Sequence, residues 1–152
     1  FESKRMEDDI RKFVVKNNLS KQVDFIGYVS EDHNRTRLFR YSDIFIFPTH
    51  RDVFGLVLLH AMAEGTPAIA SNEGAIPDIL MGGKAGILIP KNDAMSLANG
   101  IVQLIDDAEL RFELGRRARA RYEEMYTPWK FARRNIDAFN SIIALDRRET
   151  TN

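Results

Sequence analysis

Apolar and polar positions change their period along this chain. Met6, Ile10, Phe13 and Val14 recur at helical spacing within residues 6–18. Residues 23–29, rich in β-branched and aromatic side chains, predict a strand. Ser30, with Glu31 and Asp32 behind it, has N-cap and first-turn character and predicts a short helix to about Arg40. The apolar run at 43–48 predicts a buried strand, and 54–64 a helix stopped by Gly65. Strands at 67–71 and 86–89 flank a helical turn at 76–80. Asp93 then opens a helix with Leu97, Ile101, Leu104 and Ile105 on one face, and two more helices are predicted near 108–125 and 128–146. Strands separated by helix-length segments imply an α/β fold, a Rossmann-like parallel sheet covered by helices on both faces. No repeat or low-complexity linker divides the chain, so residues 1–152 read as one domain.

The same pattern marks a candidate site. Strand 43–48 feeds a short polar loop and then a helix start, where the first backbone N–H groups lack partners and the helix dipole favours negative charge. The predicted anion site is therefore Val53, Phe54, Gly55 and Leu56, with Asp52 at its lip. Asp52, Gly74 and Pro90 all follow strand ends, on the rim where such sheets bind ligands. Helix 54–64 is apolar nearly all round, as a buried helix would be, except for His60 and Glu64. Stepping back by fours gives Leu56 and then Asp52, so Asp52, His60 and Glu64 are expected to mark one edge. A ligand along that edge would set an anionic group at the helix start and neutral hydroxyls near Asp52 and His60, which describes a sugar nucleotide.

Charge and composition narrow the classes. The 22 basic and 22 acidic residues balance, which argues against a nucleic-acid binder driven by overall charge. The basic run Arg116, Arg117, Arg119 and Arg121 is interleaved with Glu113, Glu123 and Glu124 and reads as a solvated helix face. Without cysteine there are no disulfides, thiolate chemistry or Cys-based zinc sites. No apolar run reaches membrane-span length; the absence of cysteine permits a reducing cytoplasm, and a cytoplasmic location, at most peripheral to the inner membrane face, is expected. The chain opens on Phe1 and is expected to be cut from something longer. A phosphoacceptor receiver domain would need an acidic cluster at the first strand end and a lysine at a later one, and neither is found. Glu64 reads as a solvated charge, His33 and His50 as loop residues, and Trp129 and Phe131 as anchors docking the last helix. Gly55 is read either as a point of ligand approach at an exposed helix start or as a packing residue, and Gly74 as a turn residue that also admits a ligand.

Across residues 6–145 the chain resembles the C-terminal, donor-binding half of retaining glycosyltransferases of the GT-B fold, those of glycosyltransferase family four. The resemblance is carried by Val23-Asp24-Phe25-Ile26-Gly27-Tyr28-Val29, Tyr41-Ser42-Asp43-Ile44-Phe45-Ile46-Phe47-Pro48, Phe54-Gly55-Leu56-Val57-Leu58-Leu59, Ala61-Met62-Ala63-Glu64-Gly65-Thr66-Pro67, Gly74-Ala75-Ile76-Pro77-Asp78-Ile79 and Gly86-Ile87-Leu88-Ile89-Pro90, in that order and spacing. It implies transfer of a hexose from a nucleotide-sugar donor with retention, no metal, and a carbohydrate or glycolipid acceptor held by an N-terminal half absent here. Two strands and an Arg/Lys pair that offsets the diphosphate's charge precede this chain's start in the family, and the strands would lie between 23–29 and 43–48. The family's paired glutamates fall on Asp52, the sugar-facing and catalytic position, and on His60, the ribose-facing one. Asp52 keeps a carboxylate one methylene shorter; His60 substitutes one acceptor for two oxygens. The resemblance also sets the backbone of Phe54, Gly55 and Leu56 against the diphosphate and sugar, and Tyr28 and Val29 against the base. A reading from another class is a non-catalytic, degenerate domain that binds nucleotide weakly or serves as a scaffold.

Overall fold

The computed structural model describes residues 2–29 and 32–149. The chain falls into two compact units, Phe1–Asn34 and Arg35–Asn152. In the first, helix α1 (Glu2–Lys16) ends in a turn whose Leu19 N–H donates to the Val14 carbonyl at 2.9 Å, and the Arg11 guanidinium lies 4.0 Å over the Phe25 ring. The strand predicted at 23–29 is absent. Its residues have strand composition, but a strand exists only with a hydrogen-bonded neighbour, and the sheet of the described residues does not include it. Ser30 and Glu31 lie outside the described residues; α2 runs from Asp32 to Arg40 and contains His33, expected in a loop.

The second unit holds a parallel sheet in the order β1 (Phe45–Phe47), β2 (Ala68–Ser71), β3 (Ile87–Ile89). The register sets Ile46, Ile69 and Ile87 side by side, with Phe47, Ala70 and Leu88 next to them. Period two then sorts the core. Phe45, Phe47, Ala68, Ala70 and Leu88 pack with Leu58 and Met62 of α3 (Leu56–Glu64), with Ile76 and Ile79 of α4 (Ile76–Ile79), and with Ala118 of α6 (Ala108–Met125). Ile69, Ile87 and Ile89 face the other way, onto Leu97, Ile101 and Leu104 of α5 (Ala94–Asp106) and Leu114 of α6. That second cover stops short of β1, where Ile46 is 40% exposed.

Local chemistry sets the helix ends. Gly65, at φ +75°, closes α3 by donating to the Ala61 and Met62 carbonyls. Asp93 and Asp107 cap α5 and α6 by accepting from the N–H groups of Ser96 and Leu110 at 2.9 and 2.8 Å. The last helix, α7 (Pro128–Glu149), is tied to α6 by Arg134, which donates to the Met125 carbonyl at 2.7 Å. Trp129 and Phe131 do not dock it; both side chains are exposed.

The basic run on α6 is a laced helix face. Glu113 accepts from Arg116 and Arg117, both at 2.7 Å, and Glu123 from Arg119 at 2.6 Å. Hydrogen bonds from Arg116 and then Arg117 hold the Glu113 carboxyl down at about 2. A depressed folded value gives stability that is full above the ordinary glutamate range and is lost as pH falls through about 2. Glu113→Gln should therefore flatten the acid limb of a melting-temperature profile between pH 4.5 and 2, by a small amount because the pair is exposed and screened. An unchanged limb would show the cluster adds nothing to stability.

Candidate functional site

The loop from Thr49 to Gly55 leaves the carboxyl end of β1 and enters α3. Helix geometry begins at Leu56, two residues later than the sequence pattern indicates, because Gly55 takes φ +80° and ψ 45°. Asp52 turns back into the loop. Its Oδ1 accepts from the Phe54 N–H at 2.9 Å and also from the Gly55 N–H, while Oδ2 has no partner among the described residues. The N–H groups of Leu56 and Val57, in the first turn of α3, have no intrahelical acceptor. The helix mouth thus offers two donors held by Asp52 and two open ones, an arrangement that attracts oxygen-bearing anions.

Val53, Phe54, Leu56 and Val57 all expose their side chains here, Val53 to 82%. The expectation of a helix buried all round is corrected accordingly: α3 buries Leu58, Ala61 and Met62 and leaves its first turn open. Gly55 is buried, and a Cβ on it would meet Ile76 Cγ1 at 3.5 Å. It is a buried residue with left-handed backbone, so the expected tolerance of an exposed helix start does not hold. Gly74 is closer still. At φ +53°, it leaves only 2.7 and 2.8 Å between a built Cβ and the carbonyl oxygens of Val53 and Asp52, and next to it the Ala75 N–H donates to the Val53 carbonyl at 3.1 Å. The loop after β2 therefore supports the loop after β1 backbone to backbone.

The single edge expected for Asp52, His60 and Glu64 is not formed. The four-residue step requires helix throughout, and residues 52–55 are loop. His60 and Glu64 instead face α2: the imidazole stacks on Phe39 at 6.1 Å between centroids, and Glu64 accepts from Arg40 Nε at 2.8 Å. With its side chain only 16% exposed, Glu64 is a paired charge rather than a solvated one. Phe39 and Arg40 went unnoticed in the sequence because their roles arise from tertiary contact alone; the Thr66 hydroxyl, donating to the Phe39 carbonyl at 2.7 Å, completes the joint. Tyr28, 88% exposed, and Val29 belong to the first unit. Among the described residues no group of three His, Cys, Asp or Glu side chains could hold a metal ion, and no helix is long and apolar enough to cross a membrane.

The profile of the family described as "Glycosyl transferases group 1" matches residues 3–121. The chain is 31% identical over 135 residues to the N-acetyl-alpha-D-glucosaminyl L-malate synthase of Bacillus anthracis, covering 88% of this chain and 35% of that protein. It superposes on the sucrose-phosphate synthase of Thermosynechococcus elongatus with TM-score 0.79 and 28% identity, over 93% of this chain and 35% of that one. HepE of Anabaena, solved in complex with UDP, gives TM-score 0.83 at 20% identity, over 93% and 38% of the two chains, a likeness of fold. The chain thus spans about a third of the length of these proteins.

Proposed function

The chain belongs to the glycosyl transferases group 1 family, and on that premise we propose that it supplies the donor-binding half of a retaining hexosyltransferase. In this reading a nucleotide sugar delivers its hexose to a carbohydrate or glycolipid acceptor held by another part of the enzyme, in the cytoplasm and without a metal. The observation that carries it is the posture of Asp52. With Oδ1 fixed on the Phe54 and Gly55 N–H groups, Oδ2 is left to accept a sugar hydroxyl. The diphosphate would take the open donors of Leu56 and Val57, and charge developing on the departing diphosphate would be stabilised there electrostatically. The resemblance adds Tyr28 and Val29 as base contacts and His60 as the ribose contact.

Amide chemical-shift mapping tests the site. UDP is the first probe because HepE was solved with it; GDP and ADP are the alternatives. The expected result is perturbation of the amides of residues 53–57 and of Tyr28 and Val29. Perturbed amides clustered elsewhere would reject the assignment.

A second reading, a degenerate module that binds nucleotide weakly, draws on His60, whose ring lies flat against Phe39 as a packing residue would. One variant separates the two. If His60 faces the ribose, His60→Glu restores a carboxylate acceptor and tightens nucleotide binding about tenfold, the worth of one charge-assisted hydrogen bond of roughly 1–2 kcal/mol. The gain should vanish with the 2′-deoxy nucleotide if that hydroxyl is the donor. Equal affinities for both ligands before and after the substitution would leave His60 with packing alone.

A further inference from the structure

The carboxyl ends of all three strands open onto a second feature, a cavity of about 270 Å³ that Asp52 itself does not line, although His50 of the same loop does. Its floor is apolar, made by Ile89 at the end of β3 and Leu97 of α5, between Pro48 and Pro90. Ser71 closes β2 opposite Ile89 and borders the cavity. It is 1% exposed, and its hydroxyl, which is not among the sealed, partnerless polar atoms of the described residues, is open to the cavity. A hydroxyl facing the cavity can donate to and accept from a ligand hydroxyl there.

The other polar groups on the cavity define what can enter. Asp93 accepts from the Ser96 N–H at 2.9 Å and the Ser96 hydroxyl at 2.6 Å, and these bonds, the hydroxyl first, keep its carboxyl ionised below the ordinary range. A carboxylate accepts about four hydrogen bonds, so capacity remains for ligand hydroxyls. The Asn92 amide and the His50 imidazole supply both donor and acceptor character. Among the described residues no lysine or arginine lines the space, and the nearby Lys91 is held by Glu73 at 3.0 Å. A carboxylate without a cation disfavours phosphate. At about 270 Å³ the cavity also falls below the roughly 300–1,000 Å³ of pockets that enclose drug-sized ligands. Apolar floor, mixed polar wall and small volume together describe a single ring with C–H faces and hydroxyl edges.

We propose that this cavity binds one neutral polyhydroxylated ring, a hexose or a cyclitol, at a site that excludes Asp52 and the start of α3. The assignment does not depend on nucleotide binding. The test titrates glucose and myo-inositol, each to high millimolar concentration, into the full chain while following Ile and Leu methyl resonances by NMR, with UDP titrated in a parallel arm. Saturable shifts at Ile89 and Leu97 are expected from at least one ring. Ser71→Ala, which removes the hydroxyl from the cavity wall, should weaken that binding about five- to tenfold. Ala94→Trp, an exposed rim substitution that fills the mouth, should abolish it while the amide spectrum stays dispersed. Ring-induced shifts that persist when UDP leaves residues 53–57 unmoved would support this site and reject only the nucleotide reading. Silent Ile89 and Leu97 methyls, shifts insensitive to both substitutions, or displacement of the ring by UDP would overturn the proposal.

Discussion

Replacing Gly115 by alanine is expected to lower the melting temperature by roughly 6–12 °C, the equivalent of about 3 kcal/mol in a chain of this size. The reason is where α6 crosses the end of α3. A Cβ on Gly115 would fall on the Gly65 carbonyl oxygen, with the Gly65 carbonyl carbon at 3.3 Å and Pro67 Cδ at 3.4 Å behind it. Those are backbone and ring atoms, and Gly65 is itself fixed at φ +75° by its two capping bonds. The helices must separate, and the core between Met62, Ala68 and Ala118 would open with them. Gly100 is the matched comparison. It too lies inside a helix, but its built Cβ reaches Ile69 and Ile87 at 3.5 Å, ordinary contact distance. Gly100→Ala should therefore be neutral or stabilising by about 0.5–1 kcal/mol, the usual gain from removing a mid-helix glycine. Paired thermal melts decide the matter. Equal shifts for the two variants would mean that α3 and α6 can slide apart at little cost.

These glycines also show what a sequence conceals. The three paired strands were legible because each is a short apolar run between turn-forming residues, and a parallel sheet buried on both faces needs no alternation to be recognised. Asp93, Asp107 and Gly65 announce helix ends through chemistry confined to neighbouring residues. Residues 23–29 misled because strand propensity is a preference for a partner the sequence does not name. The strand–loop–helix order singled out one loop as the candidate site, but not that loop's geometry. Projecting helix periodicity back through Phe54 to Asp52 ignored the left-handed Gly55, and that one residue turns Asp52 away from the His60–Glu64 face. The joint of Phe39, Arg40, His60 and Glu64 joins residues more than twenty positions apart, which no periodicity reports.

Gly74→Ala is expected to reduce nucleotide affinity thirtyfold or more, about 2 kcal/mol, while leaving the sheet intact. Two effects act on the variant and can be separated. The first is backbone strain: φ +53° is a conformation that alanine adopts at a cost of about 1–2 kcal/mol. The second is collision, because the new Cβ would stand 2.7 Å from the Val53 oxygen and 2.8 Å from the Asp52 oxygen. The Asp52 loop is the softer partner, since its side chains are largely exposed, so it should move outward. Movement there draws Asp52 from its place on the Phe54 and Gly55 N–H groups and breaks the bond from Ala75 to Val53. Gly82→Ala isolates the first effect. Gly82 has φ +64° and nothing within 4 Å of its built Cβ, so that variant carries strain without collision. Both variants should lose similar stability from strain, and Gly74→Ala alone should lose UDP binding in calorimetry and the shifts of the 53–57 amides. If both variants bind UDP as the parent does, the contact between Gly74 and the Asp52 loop plays no part in shaping a nucleotide site.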